Sequence, residues 1–304
     1  MAVEIVLLVY LTLTGLLIII FSNKLEHKII HLSFRIIVVF IISFFSIIDS
    51  KTSIKRYIRF IRLLFPFIIL VYIYHETDYL NNLFFEQNLD FIFSRFELLI
   101  FHSQPSLVFS RVLPSNFFAE LMYIGYFAYY LMVAFIPIYI YFFISRYLAE
   151  RSVFIIISSF TIYYIIFIII PVTGPQFYFK DQLSKLPNGF IIGPVLRFLQ
   201  GHGEAPTAAF PSSHVSICLM LLWICFRYAK KLLYLNLPVS VLLLFSTVYI
   251  RAHYVIDVVA GIILTPVVYA LSMKLFSILT KKLTNKESYV FTNEYTSQRS
   301  QKSA

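Results

Sequence analysis

Charged side chains are scarce in this 304-residue sequence. Asp, Glu, Lys and Arg together make up 13% of the residues, whereas roughly 25% is usual for a soluble domain. Hydrophobic residues make up 60%, and the mean hydropathy is +0.82. The scarcity of charge excludes a water-soluble globular protein, and the length suits one membrane domain with several spans.

Cysteine is nearly absent as well. Cys218 and Cys225 are the only two, and they lie seven residues apart in one apolar run. At that spacing they share a helix face, and we expect them to be small buried apolar residues. The polar segments described below carry no cluster of Cys, His or acidic residues at metal-ligand spacing. We therefore expect a site without a metal or a cofactor.

Lys and Arg outnumber Asp and Glu by 25 to 15, which gives a net charge of +10. Such an excess could indicate nucleic-acid binding, but the basic residues lie at the ends of apolar runs and form no single stripe. That distribution is typical of membrane anchoring and orientation. We therefore expect a membrane-embedded protein without a nucleic-acid partner.

Apolar runs of about the 20 residues that a bilayer needs recur along the chain. The predicted fold class is an all-α polytopic membrane protein with about eight spans: 3–21, 29–48, a third ending near Tyr74, 117–144, 153–170, 213–226, 235–250 and 254–276. His31 and Arg35, near the start of the second span, are expected to snorkel to the interface. We divide the chain into N-terminal spans (1–57), a main membrane domain (58–280) and a disordered cytoplasmic tail (281–304).

Two connecting segments differ in character. Residues 75–116 are mixed polar and aromatic, and we expect them to lie on the membrane surface as amphipathic segments. Residues 145–152 are expected to form a short basic loop. Eight spans place both termini on one side, which then carries 16 Lys and Arg residues against nine on the other. The positive-inside rule predicts cytoplasmic termini, in the cytoplasmic membrane if the source is bacterial.

Two polar islands interrupt this apolar sequence: residues 210–214 (F-P-S-S-H) and 251–257 (R-A-H-Y-V-I-D). Both fall at span ends on the external, periplasmic or lumenal face. Polar groups are costly in such surroundings, so each is a candidate functional residue. In the first island, Ser212 or Ser213 suits a helix N-cap, and the helix N-terminus that follows suits an anion. The alternative is that the serines only cap and that His214 is only an interfacial polar residue.

In the second island, His253 and Asp257 are four residues apart and would share one helix face. An aspartate that accepts from one imidazole nitrogen leaves the other as a free lone pair, which makes His253 a candidate nucleophile. Arg251 could reach the site only from the loop or the helix end. Two alternatives stay open: a hydrogen-bonded pair that joins two helices, and a zinc site with two histidines and one aspartate.

Together, a serine-rich anion site, an oriented histidine and a second histidine suit phosphoryl transfer. The islands resemble two motifs of the type 2 phosphatidic acid phosphatase superfamily, P-S-x-H and S-R-x5-H-x3-D, over roughly residues 163–261. The resemblance implies a six-helix membrane bundle and a phosphohistidine intermediate. It also implies that His253 is the nucleophile, Asp257 orients it, His214 protonates the leaving group and Ser212 binds phosphate. We expect Ser213, as a second hydroxyl donor, and Arg251 to bind phosphate as well.

Two departures from the family pattern point to a branch. The arginine of S-R should fall at Thr247, and Arg251 is expected to substitute for it. The first motif, K-x6-R-P, is replaced by P-V-T-G-P-Q at 171–176, without the basic residues. Further phosphate charge could come from loop candidates, each of them more often simply solvated: Lys180, Lys185, Arg197 and His202.

The branch that these islands resemble is that of the aureobasidin-target inositol phosphorylceramide synthases. Those enzymes pass a phosphoryl head group from phosphatidylinositol to ceramide. We therefore expect a lipid phosphotransferase that acts on a membrane lipid phosphate, with a lipid or polyol acceptor. The alternatives are a lipid phosphatase that releases inorganic phosphate, a vanadate-type peroxidase, and a non-catalytic transporter or assembly factor. Polar groups at span ends disfavour a transporter, whose helices are interrupted at the membrane midplane.

Overall fold

A computed structural model describes residues 1–51, 55–182 and 186–301, with side chains for 1–48, 57–181 and 186–283. Within these residues the chain forms twelve α-helices. They are α1 (Ala2–Ile20), α2 (Lys28–Lys51), α3 (Lys55–Leu80), α4 (Asp90–Phe101), α5 (Pro105–Val112), α6 (Asn116–Phe143), α7 (Arg146–Ile169), α8 (Pro175–Tyr178), α9 (Ile192–Gly203), α10 (Ser213–Tyr228), α11 (Lys230–Tyr249) and α12 (Val255–Gln301).

The described helices confirm the all-α polytopic fold. Seven are long and apolar enough to cross a membrane: α1, α2, α3, α6, α7, α11 and the first 29 residues of α12. The eighth expected span is α10, which has only 16 residues. At 1.5 Å per residue it covers about 24 Å, less than the roughly 30 Å of a hydrocarbon core. The first island, which includes the first two residues of α10, begins with Phe210 packed against buried apolar side chains instead of in open solvent.

Helix α7 is the centre of the fold. In the most apolar 18-residue stretch of this helix, 78% of the residues are buried. The reason is that other helices pack against it on all sides. α3, α6, α10 and α12 pack against it, and α11 packs against α6 and α10, which together make a six-helix bundle. The α6–α11 approach is close: a Cβ at Gly125 would lie 2.6 Å from the Cβ of Leu242. α1 also lies against α7, and α2 packs outside α1 and α3.

Three predicted connections are shorter than expected. The prediction of a basic loop at 145–152 is wrong, because α7 already begins at Arg146. The Ser145 hydroxyl accepts from the Leu148 N–H at the start of this helix. Only Ala229 separates α10 from α11, and α3 continues to Leu80. Lys and Arg can enter terminal helical turns because their aliphatic stems pack on apolar surface while the charges reach outward.

The segment predicted to lie on the membrane surface forms α4 and α5. The outward face of α4 exposes large apolar side chains, among them Phe91, Phe96 and Leu99, whereas Asp90 and Glu97 are buried on the opposite face. An exposed apolar face is what a helix in the membrane interface would turn to the lipid, and the position of α4 at the membrane surface stays a prediction. Its buried carboxylates reach the candidate site, as described below.

One interpretation of the N-terminal spans is wrong. Arg35 does not snorkel: its side chain is buried between α1, α2 and α3, where its guanidinium pairs with Glu76. His31 contacts the same carboxylate. The proposed domain boundaries at 57 and 280 and the sidedness of the termini stay predictions. The predicted disordered tail at 281–304 lies mostly beyond the side chains that the structure describes.

Candidate active site

The two islands meet at one end of the bundle. The backbone N–H of Ser212 donates to the carbonyl of Asp257 at 3.0 Å, which joins the start of α10 to the first turn of α12. The two helices approach closely, since a Cβ at Gly261 would lie 2.6 Å from the Ser212 carbonyl oxygen. The chain therefore brings together, across about 40 residues of sequence, the two segments that carry the predicted chemistry.

The histidines of the two islands face each other. Nδ1 of His214 lies 3.2 Å from Nε2 of His253. His253 is buried, with 2% of its surface exposed, and His214 is partly exposed. Burial lowers the pKa of His253 to about 4, an effect that the Ala209 carbonyl and the charge of Glu204 partly offset. At neutral pH His253 is therefore an uncharged imidazole, as a nucleophile must be.

The group that orients His253 differs from the prediction. Nδ1 of His253 donates to the carbonyl of Ala209 at 2.8 Å, whereas the nearest oxygen of Asp257 is 3.6 Å away. The shared helix face is also wrong, because α12 begins only at Val255 and His253 lies in the turn before it. Asp257 instead accepts from the backbone N–H of Tyr254 at 2.8 Å and so shapes that turn.

Ser212 and Ser213 occupy the start of α10 as predicted. Ser212 is the N-cap, and its hydroxyl accepts from the N–H of Val215 at 3.3 Å. Ser213 is the first helical residue and His214 the second, and both serines are buried. The positive end of the helix dipole therefore lies at the histidine pair, where it favours an anion.

Arg251 lies in the turn after α11, with a left-handed backbone at φ 68°. Its side chain is buried and donates from Nη2 to the Ser110 hydroxyl of α5 at 3.2 Å. Burial and the neighbouring charge of Arg111 lower the pKa of Arg251. This contact ties the turn of the second island to α5.

Of the four loop residues that were candidates for neutralising the phosphate charge, the three that the structure describes do not hydrogen-bond to the histidine pair. Arg197 donates to the carbonyl of Asn188 at 3.0 Å and to the Tyr123 hydroxyl at 3.3 Å. His202 is exposed and contacts the carbonyl of Phe198 in its own helix, and Lys180 is exposed. Lys185 falls outside the described residues. Residues 197 and 202 thus have local partners in α9 and the loop around it.

Residues 171–176, which replace the first motif of the family pattern, form backbone hydrogen bonds beside both islands. The Val172 carbonyl accepts from the N–H of Ala209, and the Gln176 N–H donates to the Arg251 carbonyl. Gly174 has φ 94°, and a Cβ there would lie 2.7 Å from the carbonyl oxygen of Ala252. The segment supplies backbone contacts to the loops in place of the basic side chains of the motif.

Two carboxylates of α4, which the sequence analysis left among surface polar residues, reach into the site. Asp90 accepts from the N–H groups of Thr173 and Gly174, at 2.8 and 2.9 Å, and from the Tyr254 hydroxyl. Glu97 accepts from the N–H of Val255, and burial raises the pKa of Glu97 to about 7. Asp90 and Glu97 are seven residues apart, which places both on one helix face. That spacing is the feature of the sequence from which their shared position could have been predicted.

Two further residues were missed altogether. The Tyr126 hydroxyl lies 3.1 Å from Nε2 of His214, and it also donates to Glu204 at 3.1 Å. Glu204 accepts from the side-chain amides of Gln176 and Gln200 as well. Glu204 lies six residues before the first island's Phe210, in a loop where the sequence analysis considered only basic residues.

A metal-binding cluster is not found in the part of the chain that the structure describes: no group of three or more His, Cys, Asp or Glu residues there is arranged to hold an ion. Metal independence itself stays a prediction, to be tested by assay.

Comparison with known proteins identifies one relationship. A model of the PAP2 superfamily matches residues 93–271, which is 179 of the 304 residues and includes both islands. No curated protein and no solved structure matches the chain. The matched region runs from α4 into α12 and leaves out α1 to α3.

Proposed function

This chain belongs to the PAP2 superfamily, whose members are phosphatases and phosphotransferases that act on phosphoesters, and on that premise we propose a specific reaction. The protein transfers the phosphoryl group of a membrane lipid through a phosphohistidine at His253. His214 protonates the leaving group, and the start of α10 with Ser212, Ser213 and Arg251 binds the phosphate.

The observation that carries the proposal is the direction of the His253 lone pair. Because Nδ1 donates to the Ala209 carbonyl, Nε2 is the nitrogen that can attack, and it faces Nδ1 of His214. The two rings are in direct contact at 3.2 Å, so a phosphoryl group must part them to bind. Once bound, it would have a nucleophile on one side and a proton donor on the other. General acid catalysis and nucleophilic catalysis need this relation between attacking and leaving atoms. In this geometry Asp257 acts through the backbone of the turn that carries His253.

The charges near the pair favour a phosphodiester substrate over a phosphomonoester. A monoester dianion needs more cationic partners than a diester, which carries one negative charge less. Here the residues at 171–176 contain no Lys or Arg, and the Glu204 carboxylate lies within the same hydrogen-bonded network. A fixed carboxylate opposes a second negative charge on the substrate. We therefore favour a phosphatidylinositol-like donor and transfer to a lipid alcohol such as ceramide.

The second candidate is hydrolysis, in which water resolves the phosphohistidine and inorganic phosphate leaves. The same two histidines serve either reaction. What decides between them is whether the site holds an acceptor hydroxyl, since a bound hydroxyl has a large effective concentration relative to its competitor. A non-catalytic role in transport is the remaining alternative from another class.

The nucleophile is tested with isosteric substitutions in detergent-purified protein. His253→Asn keeps a side-chain N–H close to the Ala209 carbonyl but has no Nε2, so we expect no trapped phosphoenzyme and no turnover. His214→Gln keeps a donor near Tyr126 but has no Nδ1. It should still form the phosphoenzyme from substrates with good leaving groups, while turnover of lipid substrates falls by roughly 10²–10⁴-fold.

The matched control is His202→Asn, because His202 is an exposed histidine on the same side of the fold. It should leave phosphoenzyme formation unchanged. All reactions contain excess EDTA, so that a requirement for a divalent metal would appear as lost activity. A phosphoenzyme trapped in His253→Asn, or lipid turnover by that variant, contradicts the proposed mechanism.

The acceptor is tested by supplying two labelled donors separately. With phosphatidylinositol labelled in its phosphate and ceramide as the acceptor, we expect a labelled ceramide phosphodiester that separates from the donor, and diacylglycerol is released. With labelled phosphatidic acid and no acceptor, we expect little release of inorganic phosphate. Rapid phosphate release from phosphatidic acid, with no lipid product from phosphatidylinositol, would identify a phosphatase. Inactivity in both assays, and no phosphoenzyme, would favour the non-catalytic alternative.

A further inference from the structure

The loop of residues 204–209 carries the carbonyl that orients the candidate nucleophile. Its last residue, Ala209, accepts from Nδ1 of His253 at 2.8 Å. The loop lies between the end of α9 and the first island, and it forms neither a helix nor a strand. The direction of the Ala209 carbonyl therefore depends on the contacts that attach this loop to the rest of the protein.

The end of α3 attaches the loop at three consecutive residues. Asn81, the residue after α3, is buried, and its side-chain amide bonds to the loop twice. Oδ1 of Asn81 accepts from the Thr207 hydroxyl at 2.7 Å, and Nδ2 donates to the Pro206 carbonyl at 3.3 Å. The Tyr74 hydroxyl of α3 accepts from the backbone N–H of Ala205 at 3.3 Å.

The Thr207 hydroxyl is the donor in its contact with Asn81. The amide nitrogen of Asn81 must face the Pro206 carbonyl, which leaves the amide oxygen as the acceptor for Thr207. The Thr77 hydroxyl lies 3.5 Å from the Thr207 oxygen, but it donates to the Tyr74 carbonyl at 2.6 Å. A valine at position 207 would therefore remove one defined donor and keep the shape of the side chain.

The backbone between Thr207 and Ala209 has a conformation that needs support. Ala208 has φ 68°, in the left-handed region. A residue with a Cβ adopts this region at a cost in free energy and keeps it only where the surroundings hold it. On one side Thr207 is bonded to Asn81, and on the other the N–H of Ala209 donates to the Val172 carbonyl at 3.0 Å. These two attachments together fix the direction of the Ala209 carbonyl.

We propose that Asn81 and Thr207 are positioning residues for the nucleophile. They hold the loop so that the Ala209 carbonyl keeps the proton of His253 on Nδ1 and the lone pair on Nε2. The inference rests on the proposed function, in which Nε2 attacks phosphorus, because a neutral imidazole with its proton on Nε2 has no lone pair there. Asn81 precedes residue 93, where the match to the family model begins, so the proposal gives the end of α3 a part in the reaction.

The positioning role is tested first by the rate of phosphoenzyme formation from phosphatidylinositol, measured per folded molecule in detergent-purified protein. Thr207→Val should lower the rate constant by roughly 10–10²-fold, since a small displacement of a reacting group is enough for such a loss. The lipid concentration that half-saturates the reaction should change little. Thr207→Ser, which restores the hydroxyl, should recover most of the rate, and Asn81→Leu, which removes both side-chain bonds to the loop, should lose at least as much as Thr207→Val.

The tautomer of His253 supplies a readout that a packing role would not change and that needs no substrate. In protein with isotopically labelled histidine, the nitrogen chemical shifts of a neutral imidazole show which ring nitrogen carries the proton. The His253 signals are those lost in His253→Asn. At pH 7 the wild type and Thr207→Ser should carry the proton on Nδ1, whereas Thr207→Val and Asn81→Leu should show a measurable share on Nε2.

The matched control is Thr161→Val, because Thr161 is another buried threonine whose hydroxyl donates to a carbonyl, that of Ser158 in α7, at 2.8 Å. It should leave both the rate and the tautomer unchanged. An equal loss of rate in Thr161→Val would mean that any buried hydroxyl has this effect, and the positioning role would be wrong.

The outcomes separate the positioning role from the mechanism that it serves. If Thr207→Val and Asn81→Leu form the phosphoenzyme at the wild-type rate, or if they lose rate while His253 keeps its proton on Nδ1, the positioning role is wrong. Neither result affects the proposed function as long as His253→Asn forms no phosphoenzyme. A phosphoenzyme trapped in His253→Asn overturns the proposed function, and the tautomer comparison still decides whether the loop orients His253.

Discussion

Two buried networks in this protein combine a histidine, a tyrosine and a glutamate, one between the N-terminal spans and one in the candidate site. In the first, Nδ1 of His31 lies 2.9 Å from Glu76 and 3.1 Å from the Tyr72 hydroxyl. In the second, His214 contacts Tyr126, which contacts Glu204. The residue types are the same, so the arrangement decides what each network can do.

The N-terminal network is saturated by Arg35. Its guanidinium donates to both oxygens of Glu76 at 2.9 Å, to the carbonyls of Leu11 and His31 and to the Thr14 hydroxyl. Gly15 leaves the room for it, since a Cβ there would lie 2.9 Å from Nε of Arg35. Because every guanidinium donor of Arg35 is used, this bidentate pair has no proton to transfer. It joins three helices.

The site network has no such counter-ion in its contacts. The described hydrogen-bond partners of Glu204 are neutral: Tyr126, Gln176 and Gln200. The histidine nitrogen opposite Tyr126 faces another histidine and not a carboxylate. The comparison teaches that a permanent cation turns a buried Glu–Tyr–His cluster into a structural tie, whereas the site network holds its histidine through neutral hydrogen-bond partners.

The largest effect is expected from breaking the N-terminal tie. Arg35→Leu leaves Glu76 buried without its counter-ion, which should lower the free energy of unfolding by about 3–5 kcal/mol. Replacing both partners, Arg35→Leu with Glu76→Leu, should restore most of the loss, because no uncompensated charge remains. Unfolding in detergent micelles measures the stability, and kcat per folded molecule should stay at the wild-type value in both variants.

Arg227, which is exposed, is the control for the loss of a positive charge. Arg227→Leu should change neither the free energy of unfolding nor kcat per folded molecule. A fall in kcat for the double variant, with unfolding close to that of the wild type, would show that the N-terminal network takes part in the reaction. The distinction drawn between the two networks would then be wrong.

The sequence predicts features that depend on local pattern. Runs of apolar residues predict the helices, and Ser212 ahead of such a run predicts the N-cap of α10. Polar groups in an apolar chain identify both islands, and counting spans places them at one end, where His214 and His253 meet. Each of these inferences needs only the residue and its near neighbours.

The partners that the sequence does not predict are those chosen by tertiary packing. The Ala209 carbonyl that orients His253 carries no side-chain signal, because any residue could supply it. Tyr126 and Glu204 lie 78 residues apart, and Arg35 and Glu76 lie 41 apart on different spans. A lone arginine near a span end suggests snorkelling unless the facing helix is known to bring a carboxylate.

A fall in pH should lower the free energy of unfolding through His253 in the site, and a variant of His253 separates this effect from any in the N-terminal network. The effect should be smaller than that of removing Arg35, and the pKa shift of His253 fixes its sign. Burial lowers the pKa of His253 from its ordinary 6.5 to about 4. Between these values the unfolded chain binds a proton that the folded protein does not, so His253 costs stability as the pH falls through this window. His253→Asn removes that group and keeps a donor near Ala209.

We therefore expect His253→Asn to lose less stability than the wild type between pH 6.5 and pH 4, by on the order of 1–3 kcal/mol. His214 and Asp257 lie beside His253 and are kept in the variant, so the difference between the two curves reports residue 253 together with its effect on these two neighbours. His202→Asn, at an exposed position, should follow the wild-type curve. If His253→Asn instead loses more stability on acidification, His253 is held protonated in the folded protein. A protonated imidazole has no lone pair at Nε2, so that result would contradict its role as the nucleophile.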